Sequence, residues 1–204
     1  MIRKITINLL SLLCFAFLLF PQPAHAAGHI ICVDAGHGGS DPGATYQGLQ
    51  EKNVALDVAT RLQTLLQSAG YGVVMTRTSD TTLDNAQRTT ICNNARAEAL
   101  ISIHLNASSN HTVDYTSGLY GKKQKDQAFA QRVNTAMSGL GIANNGVTNF
   151  ADGMLLKVAM PATLAETVFI SSDYEYRLLT DGTGNRQQQI AQLLLQGINS
   201  WFGV

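Results

Sequence analysis

The segment His29-Ile30-Ile31-Cys32-Val33-Asp34-Ala35-Gly36-His37-Gly38-Gly39 changes character within a few residues. Its first half, His29 to Val33, is apolar and rich in β-branched residues, which reads as a strand buried on both faces. Glycines then crowd around His37. Glycine permits positive φ and close approach of other groups, so the strand is expected to end in a tight turn that presents the histidine. From Glu51 to Ala69 the period changes to that of a helix, through Val54, Leu56, Val58, Leu62, Leu65 and Leu66, and the pattern stops at Gly70.

The same alternation continues along the chain. Tyr71 to Thr76 and Leu100 to Leu105 read as strands, with a helix over Leu83 to Ala97 between them. A short strand is expected at Ser117 to Tyr120, a helix from about Asp126 to Leu140, strands at Met154 to Val158 and Thr163 to Phe169, and a terminal helix over Ile190 to Phe202. Apolar strands separated by helices predict an α/β fold, a single three-layer αβα domain whose mostly parallel sheet is covered on both faces. Ligands of such sheets gather outside the carboxyl ends of the strands. His37 follows the first strand and His104 closes the run Leu100-Ile101-Ser102-Ile103-His104, so the topology predicts that these two histidines meet.

With 204 residues the chain has length for one ordinary domain and a sizeable core. Arg3 and Lys4, the apolar run from Leu9 to Phe20, Pro21 and Ala24-His25-Ala26 form a secretory leader, with cleavage expected after Ala26. The division is therefore a signal peptide over 1–26 and a single mature domain over 27–204, expected to be exported to the periplasm or to the extracellular space or cell wall, with no stable membrane insertion after cleavage. The apolar run is short for a span, which needs about 20 residues, and Leu13 is too bulky before Cys14 for a lipoprotein signal. The leader removes two positive charges from a chain of net charge +0. The near-neutral remainder has no basic footprint for nucleic acid. Lys122, Lys123 and Lys125 form the one basic cluster, which suits a solvated loop or helix start.

Cys32 and Cys92 survive cleavage. Export permits a disulfide, yet an apolar strand and a helix are places where buried free thiols are common, and free thiols are the expectation. Two cysteines so far apart exclude an all-cysteine structural metal site.

Four residues carry chemistry. His37 in its glycine turn suits a metal ligand over an open site, with Asp34 placed to accept a hydrogen bond from an imidazole. A turn with an incidental histidine is the bland alternative; a phosphate cradle is another, without the P-loop lysine and hydroxyl. Glu51 at a helix start is favoured by the macrodipole alone. His104 must satisfy both ring nitrogens in a poorly hydrated strand, as a ligand or as a core histidine. Glu166, within Ala162-Thr163-Leu164-Ala165-Glu166-Thr167-Val168-Phe169, is a costly lone carboxylate unless paired, metal-bound or proton-sharing. A raised pKa would suit it as a general base. Two histidines and a glutamate are a donor set for catalytic zinc, which keeps its fourth position open. His29 and His111 read as solvated.

These motifs, taken in order, resemble the zinc-dependent N-acetylmuramoyl-L-alanine amidases of bacterial cell-wall turnover. The resemblance spans the mature chain from about Ile30. It rests on Val33 to Ala44, on Gln50-Glu51-Lys52-Asn53-Val54-Ala55-Leu56, on Ser102-Ile103-His104-Leu105-Asn106-Ala107, and on Met160-Pro161-Ala162 leading to Glu166. It implies that Zn2+ is held by His37, Glu51 and His104, that Glu166 is the catalytic carboxylate, and that Arg77 and Arg88 are structural. The implied activity is hydrolysis of the amide between N-acetylmuramic acid and L-alanine in peptidoglycan; separately, the protein is expected to be a monomer. A zinc peptidase acting within the stem peptide and a non-catalytic wall-binding module are the competing readings. The chain departs from the family pattern at Val168 and Ser172, which bears on the substrate groove. No wall-binding repeat follows, and the stretch from Asn106 to Glu166 is too occupied by core elements for a long inhibitory helix, so a bare catalytic domain is expected.

Overall fold

The structure, a computed structural model, describes residues 28–151 and 153–204. The expected leader over 1–26 lies outside the described residues.

Strand β1 (Ile30–Ala35) runs through the glycine turn to a two-stranded hairpin, β2 (Thr45–Tyr46) and β3 (Leu49–Gln50), which feeds directly into α1 (Glu51–Ser68). Next come β4 (Gly72–Met75), α2 (Asn85–Asn94), β5 (Ala99–Asn106), β6 (Tyr115–Tyr120) and α3 (Lys123–Met137). A 3-10 turn, Ser138–Leu140, leads to β7 (Ala143–Asn149), α4 (Gly153–Lys157), β8 (Ala162–Phe169), α5 (Asp173–Leu179) and α6 (Asn185–Phe202). The main sheet has the order β4-β1-β5-β8-β6-β7. Its pairs are parallel apart from β6 against β8, which is antiparallel.

Alternation along the strands divides the core in two. Ile31, Val33, Ile101 and Ile103 face one side and pack against Val58 and Leu62 of α1, Phe129 and Val133 of α3, and Ile190 and Leu194 of α6. Cys32, Leu100, Ala162 and Leu164 face the other side, against Cys92 of α2 and Met154 and Leu155 of α4. The three-layer expectation holds, with the thicker helical layer on the α1 side. Among the described residues no helix is long and apolar enough to cross a membrane.

Three expectations need correction. Residues 154 to 158 are not a strand: α4 forms there and lays Met154 and Leu155 onto the sheet while Leu156 stays exposed. Strand β7 and helix α5 were not expected at all. Cys32 and Cys92 are bridged, with their Cα atoms 5.5 Å apart, within the range a disulfide requires. The bridge ties α2 to the centre of β1. The lysine cluster does sit at a helix start, where Lys122 pairs with buried Asp126 at 2.9 Å.

Candidate metal centre

The site assembles at the carboxyl ends of β1, β5 and β8. β1 delivers the turn at His37, whose φ of 58° is in the left-handed region, uncommon outside glycine though histidine tolerates it better than most. Two arginines hold the turn by its carbonyls. Arg77 donates to the carbonyls of Ala35 and Gly36 at 2.9 and 2.8 Å. Arg88 donates to those of Ala35 and His37 at 2.8 and 2.7 Å. The structural role expected of both arginines is thereby given a mechanism: they aim the histidine. Amides of the same turn are taken up internally, Gly38 by Asp41, Gly39 by Asp80 and Ser40 by Thr82. That leaves no nest for a phosphate.

Glu51, at the first position of α1, is 3% exposed and reaches across the strand ends. Its Oε1 accepts from the amide of Leu105 at 2.9 Å, and its Oε2 from that of Ala44 at 2.8 Å. Oε2 lies 3.1 Å from Nε2 of His37, and Oε1 lies 3.0 Å from Nδ1 of His104. One donor atom from each of the three residues falls within 4.8 Å of the others. The rings of His37 and His104 meet edge to face with centroids 4.7 Å apart. Two glycines make this convergence possible. A Cβ on Gly36 would stand 2.5 Å from the His104 ring, and one on Gly43 would stand 2.6 Å from both Glu51 Oε2 and the His37 ring.

The role foreseen for Asp34 belongs to Asp41. Asp34 commits its oxygens to Thr76, Ser102 and Arg88 at 2.6, 2.5 and 2.7 Å, forming a buried polar plug beneath the turn. Asp41 Oδ2 instead pairs with Nδ1 of His37 at 2.8 Å. The signal was present in the sequence as an acceptor four residues beyond the histidine, inside the same turn. With Nδ1 donating to Asp41, the other ring nitrogen of His37 faces a carboxylate oxygen. Two electron-pair donors so placed need a proton or a cation between them. Burial alone would lower the pKa of His37, but hydrogen bonds and charge from Glu51, and then from Asp41, raise it from 6.5 to about 9. For Glu51, burial opposes ionisation, yet the two imidazoles and the Leu105 amide hold its carboxyl well below the usual range.

The two short spacings, 3.1 Å to His37 and 3.0 Å to His104, involve different oxygens of Glu51, so the carboxylate faces both imidazoles at once. Two imidazoles, one anchored carboxylate and an outer aspartate orienting one ring therefore fit a zinc ion.

Glu166 lies beside the cluster. In the β5–β8 register it is the partner of His104. Its Oε2 is buried with no hydrogen-bond partner among the described residues. Burial pushes its pKa up, with the negative charge of Glu51 adding to the effect and the histidines opposing it. All four candidate residues are thus brought together. His29 and His111 lie outside the cluster: His29 pairs with Glu98 at 2.8 Å and stacks on Phe202, while His111 bonds the Ser171 carbonyl and packs against Tyr46. The two departures from the family pattern are absorbed by structure, since Val168 is fully buried in the larger core and Ser172 caps α5.

Comparison with known proteins agrees with this geometry. The family model described as N-acetylmuramoyl-L-alanine amidase matches residues 31–200. A germination-specific N-acetylmuramoyl-L-alanine amidase of Bacillus subtilis is 34% identical over 199 residues, 89% of this chain and 83% of that protein. The amidase LytC of the same organism is 34% identical over 86% of this chain, which spans 36% of LytC. Among solved structures, the catalytic domain of CwlV from Paenibacillus polymyxa superposes with a TM-score of 0.81 at 28% identity, covering 86% of this chain and 99% of that one. An N-acetylmuramoyl-L-alanine amidase from Clostridium difficile 630 gives 0.81 at 29% identity, covering 87% and 98%. The chain belongs to the N-acetylmuramoyl-L-alanine amidase family.

Proposed function

We propose that this protein hydrolyses the amide between N-acetylmuramic acid and L-alanine with zinc held by His37, Glu51 and His104, and with Glu166 as general base. The observation that carries the reading is the convergence of three anchored donors beside a buried carboxylate whose Oε2 has no hydrogen-bond partner among the described residues. Zinc in this position would supply Lewis acidity, polarising the scissile carbonyl and lowering the pKa of a water toward ~7. The chain's own groups do the rest. Asp41 fixes the His37 ring so that Nε2 faces inward, and the amides of Ala44 and Leu105 fix both oxygens of Glu51. Glu166, whose affinity for a proton is raised by burial, accepts a proton from the attacking water at its carboxylate and returns it to the departing alanine amine.

The test is mass spectrometry of muropeptides after digestion of purified peptidoglycan with the zinc-loaded protein. The expected products are free stem peptides with a new L-alanine amino terminus and an intact glycan. Cleavage inside the stem peptide would move the assignment to a peptidase. Zinc binding without turnover would move it to a wall-binding module. A substrate outside the membrane also requires export, and N-terminal sequencing of the secreted protein should begin at Ala27. A species retained at the membrane and starting at Met1 would overturn the proposed cleavage.

A further inference from the structure

We propose that the outer face of α4 and the start of α3 form a docking surface for an anionic lipid bilayer. In the sequence only Lys122, Lys123 and Lys125 stand together; the fold adds Lys157 from the last turn of α4 and two exposed apolar side chains, Phe150 and Leu156. Hydrogen bonds hold these segments side by side. The amide of Phe150 donates to the Tyr120 carbonyl at 2.9 Å, Lys122 Nζ donates to the Leu155 carbonyl, and Lys125 Nζ reaches the Ala159 carbonyl at 3.5 Å. A Cβ on Gly121 would stand 3.0 Å from Leu155, so the chain entering α3 lies directly on α4. Four of the five lysines that follow the expected leader are thereby gathered in one patch. Phe150, 51% exposed, and Leu156, 46%, are two of the four large apolar side chains left exposed among the described residues.

Folding does not account for this arrangement. The positive end of a helix macrodipole is its N-terminus, where cations are unfavourable, yet Lys122, Lys123 and Lys125 occupy the N-cap and the first turn of α3. Asp126 is fully buried and pairs with Lys122 at 2.9 Å. Lys123, Lys125 and Lys157 are exposed and make no ion pair among the described residues. Over 120–126 and 150–157 the sequence has four lysines against two acidic residues, Asp126 and Asp152. The two kinds of side chain together select the partner. Single exposed apolar residues are ordinary on a protein surface; these two stand among ammonium groups. A soluble polyanion would neutralise the lysines and leave Phe150 and Leu156 in water. A bilayer takes both: phosphate headgroups meet the ammonium groups, the lysine stems lie along the apolar boundary, and the phenyl and isobutyl groups enter it. The contact is peripheral, and the expected leader would deliver the chain to the outer face of such a membrane. Because α4 turns Met154 toward the space that His37 and His104 border, docking on its opposite face would hold the donor cluster close to the membrane.

Co-sedimentation with vesicles reads this without turnover, so the result is independent of the amidase reading. The zinc-loaded protein is expected to partition onto vesicles of phosphatidylglycerol mixed with phosphatidylcholine and not onto phosphatidylcholine alone. Lys123→Gln combined with Lys157→Gln should weaken that partition by about tenfold or more, because each basic residue near an anionic surface contributes separately. Phe150→Ser combined with Leu156→Ser should weaken it by about tenfold or more as well, through lost apolar burial. All four positions are exposed, and an unchanged thermal midpoint verifies that both variants fold. Arg177→Gln, which removes an exposed cation of α5, should leave the partition as it was. No binding of the wild-type protein to anionic vesicles, equal binding to neutral ones, or an equal loss from Arg177→Gln would overturn the docking surface. Unchanged partition of the variant lacking Phe150 and Leu156 would overturn it too; displacement of that variant by soluble poly(glycerol phosphate) would then assign the lysines to an anionic polymer.

Discussion

Glu166 is the residue on which the proposed chemistry turns, because its buried Oε2 has no hydrogen-bond partner among the described residues. Glutamine at this position keeps the shape and an acceptor oxygen but takes no proton. Glu166→Gln is therefore expected to lower turnover on peptidoglycan by ~10²–10⁴ with zinc content and thermal midpoint unchanged. A purely structural glutamate would behave in the opposite way, losing stability first and activity in step. Near wild-type turnover in the folded, zinc-loaded variant removes Glu166 from the mechanism. Gly36 tests the other half of the site. An alanine Cβ would meet Cε1 and Nε2 of His104 at 2.5 Å, and that ring is pinned on its far side by Glu51. Gly36→Ala should cost most of the bound zinc, read by metal analysis; a full equivalent retained would mean that the His104 ring moves freely.

At the scale of elements, what the sequence displayed depended on where each element lies. β1, β5, α1 and α6 were legible because they are central or carry a full apolar stripe. β7, with the sequence Ala-Asn-Asn-Gly-Val-Thr-Asn, is an edge strand whose side chains are mostly solvated; no apolar alternation marks it. Residues 154 to 158 misled because a single helical turn laid on a sheet buries a short apolar run just as a strand does. The convergence of His37, Glu51 and His104 was legible since strand ends and a helix start place them by topology. The disulfide was not, because it depends on a distance that spacing does not encode, and Asp41 showed only as one of two acceptors near His37, between which the path of the turn decides. The bridge has a measurable consequence. Cys92 is one turn beyond Arg88 on α2, so the bond fixes against β1 the helix whose arginine holds the His37 turn. It spans 60 residues of sequence, for which the chain-entropy model gives about 4 kcal/mol. Cys92→Ala, or reduction, should lower the melting temperature by on the order of 10 °C, measured with and without reductant. An unchanged midpoint on reduction would mean that the pair does not form the bond in solution.

Considered as a whole, the molecule has a candidate metal centre that exists only when it is folded. The donors come from the turn after β1, the start of α1 and the end of β5, so the unfolded chain has no such site, and zinc held there would stabilise the native state alone. At a free concentration of about 1,000 times Kd that linkage is worth ~4 kcal/mol, on the order of 10 °C in midpoint for a domain of this size. The proton on His37 adds a pH dependence. Its folded pKa is raised from 6.5 to about 9, so in the metal-free protein its contribution is complete below about pH 6.5 and is lost as pH rises through about 9. Glu51, with its pKa lowered from 4.5, contributes above that value and loses its part as pH falls through the depressed folded value. Zinc held by His37 and Glu51 would take the place of the proton between them and remove the alkaline loss, and its binding would tighten as that proton leaves. The midpoint of the zinc-loaded protein should therefore exceed that of the chelator-treated protein by a wider margin at pH 9 than at pH 6. Thermal denaturation of both forms at the two values measures this. An equal margin at both would show that proton and metal do not compete at His37, and the ligand set would have to be redrawn without it.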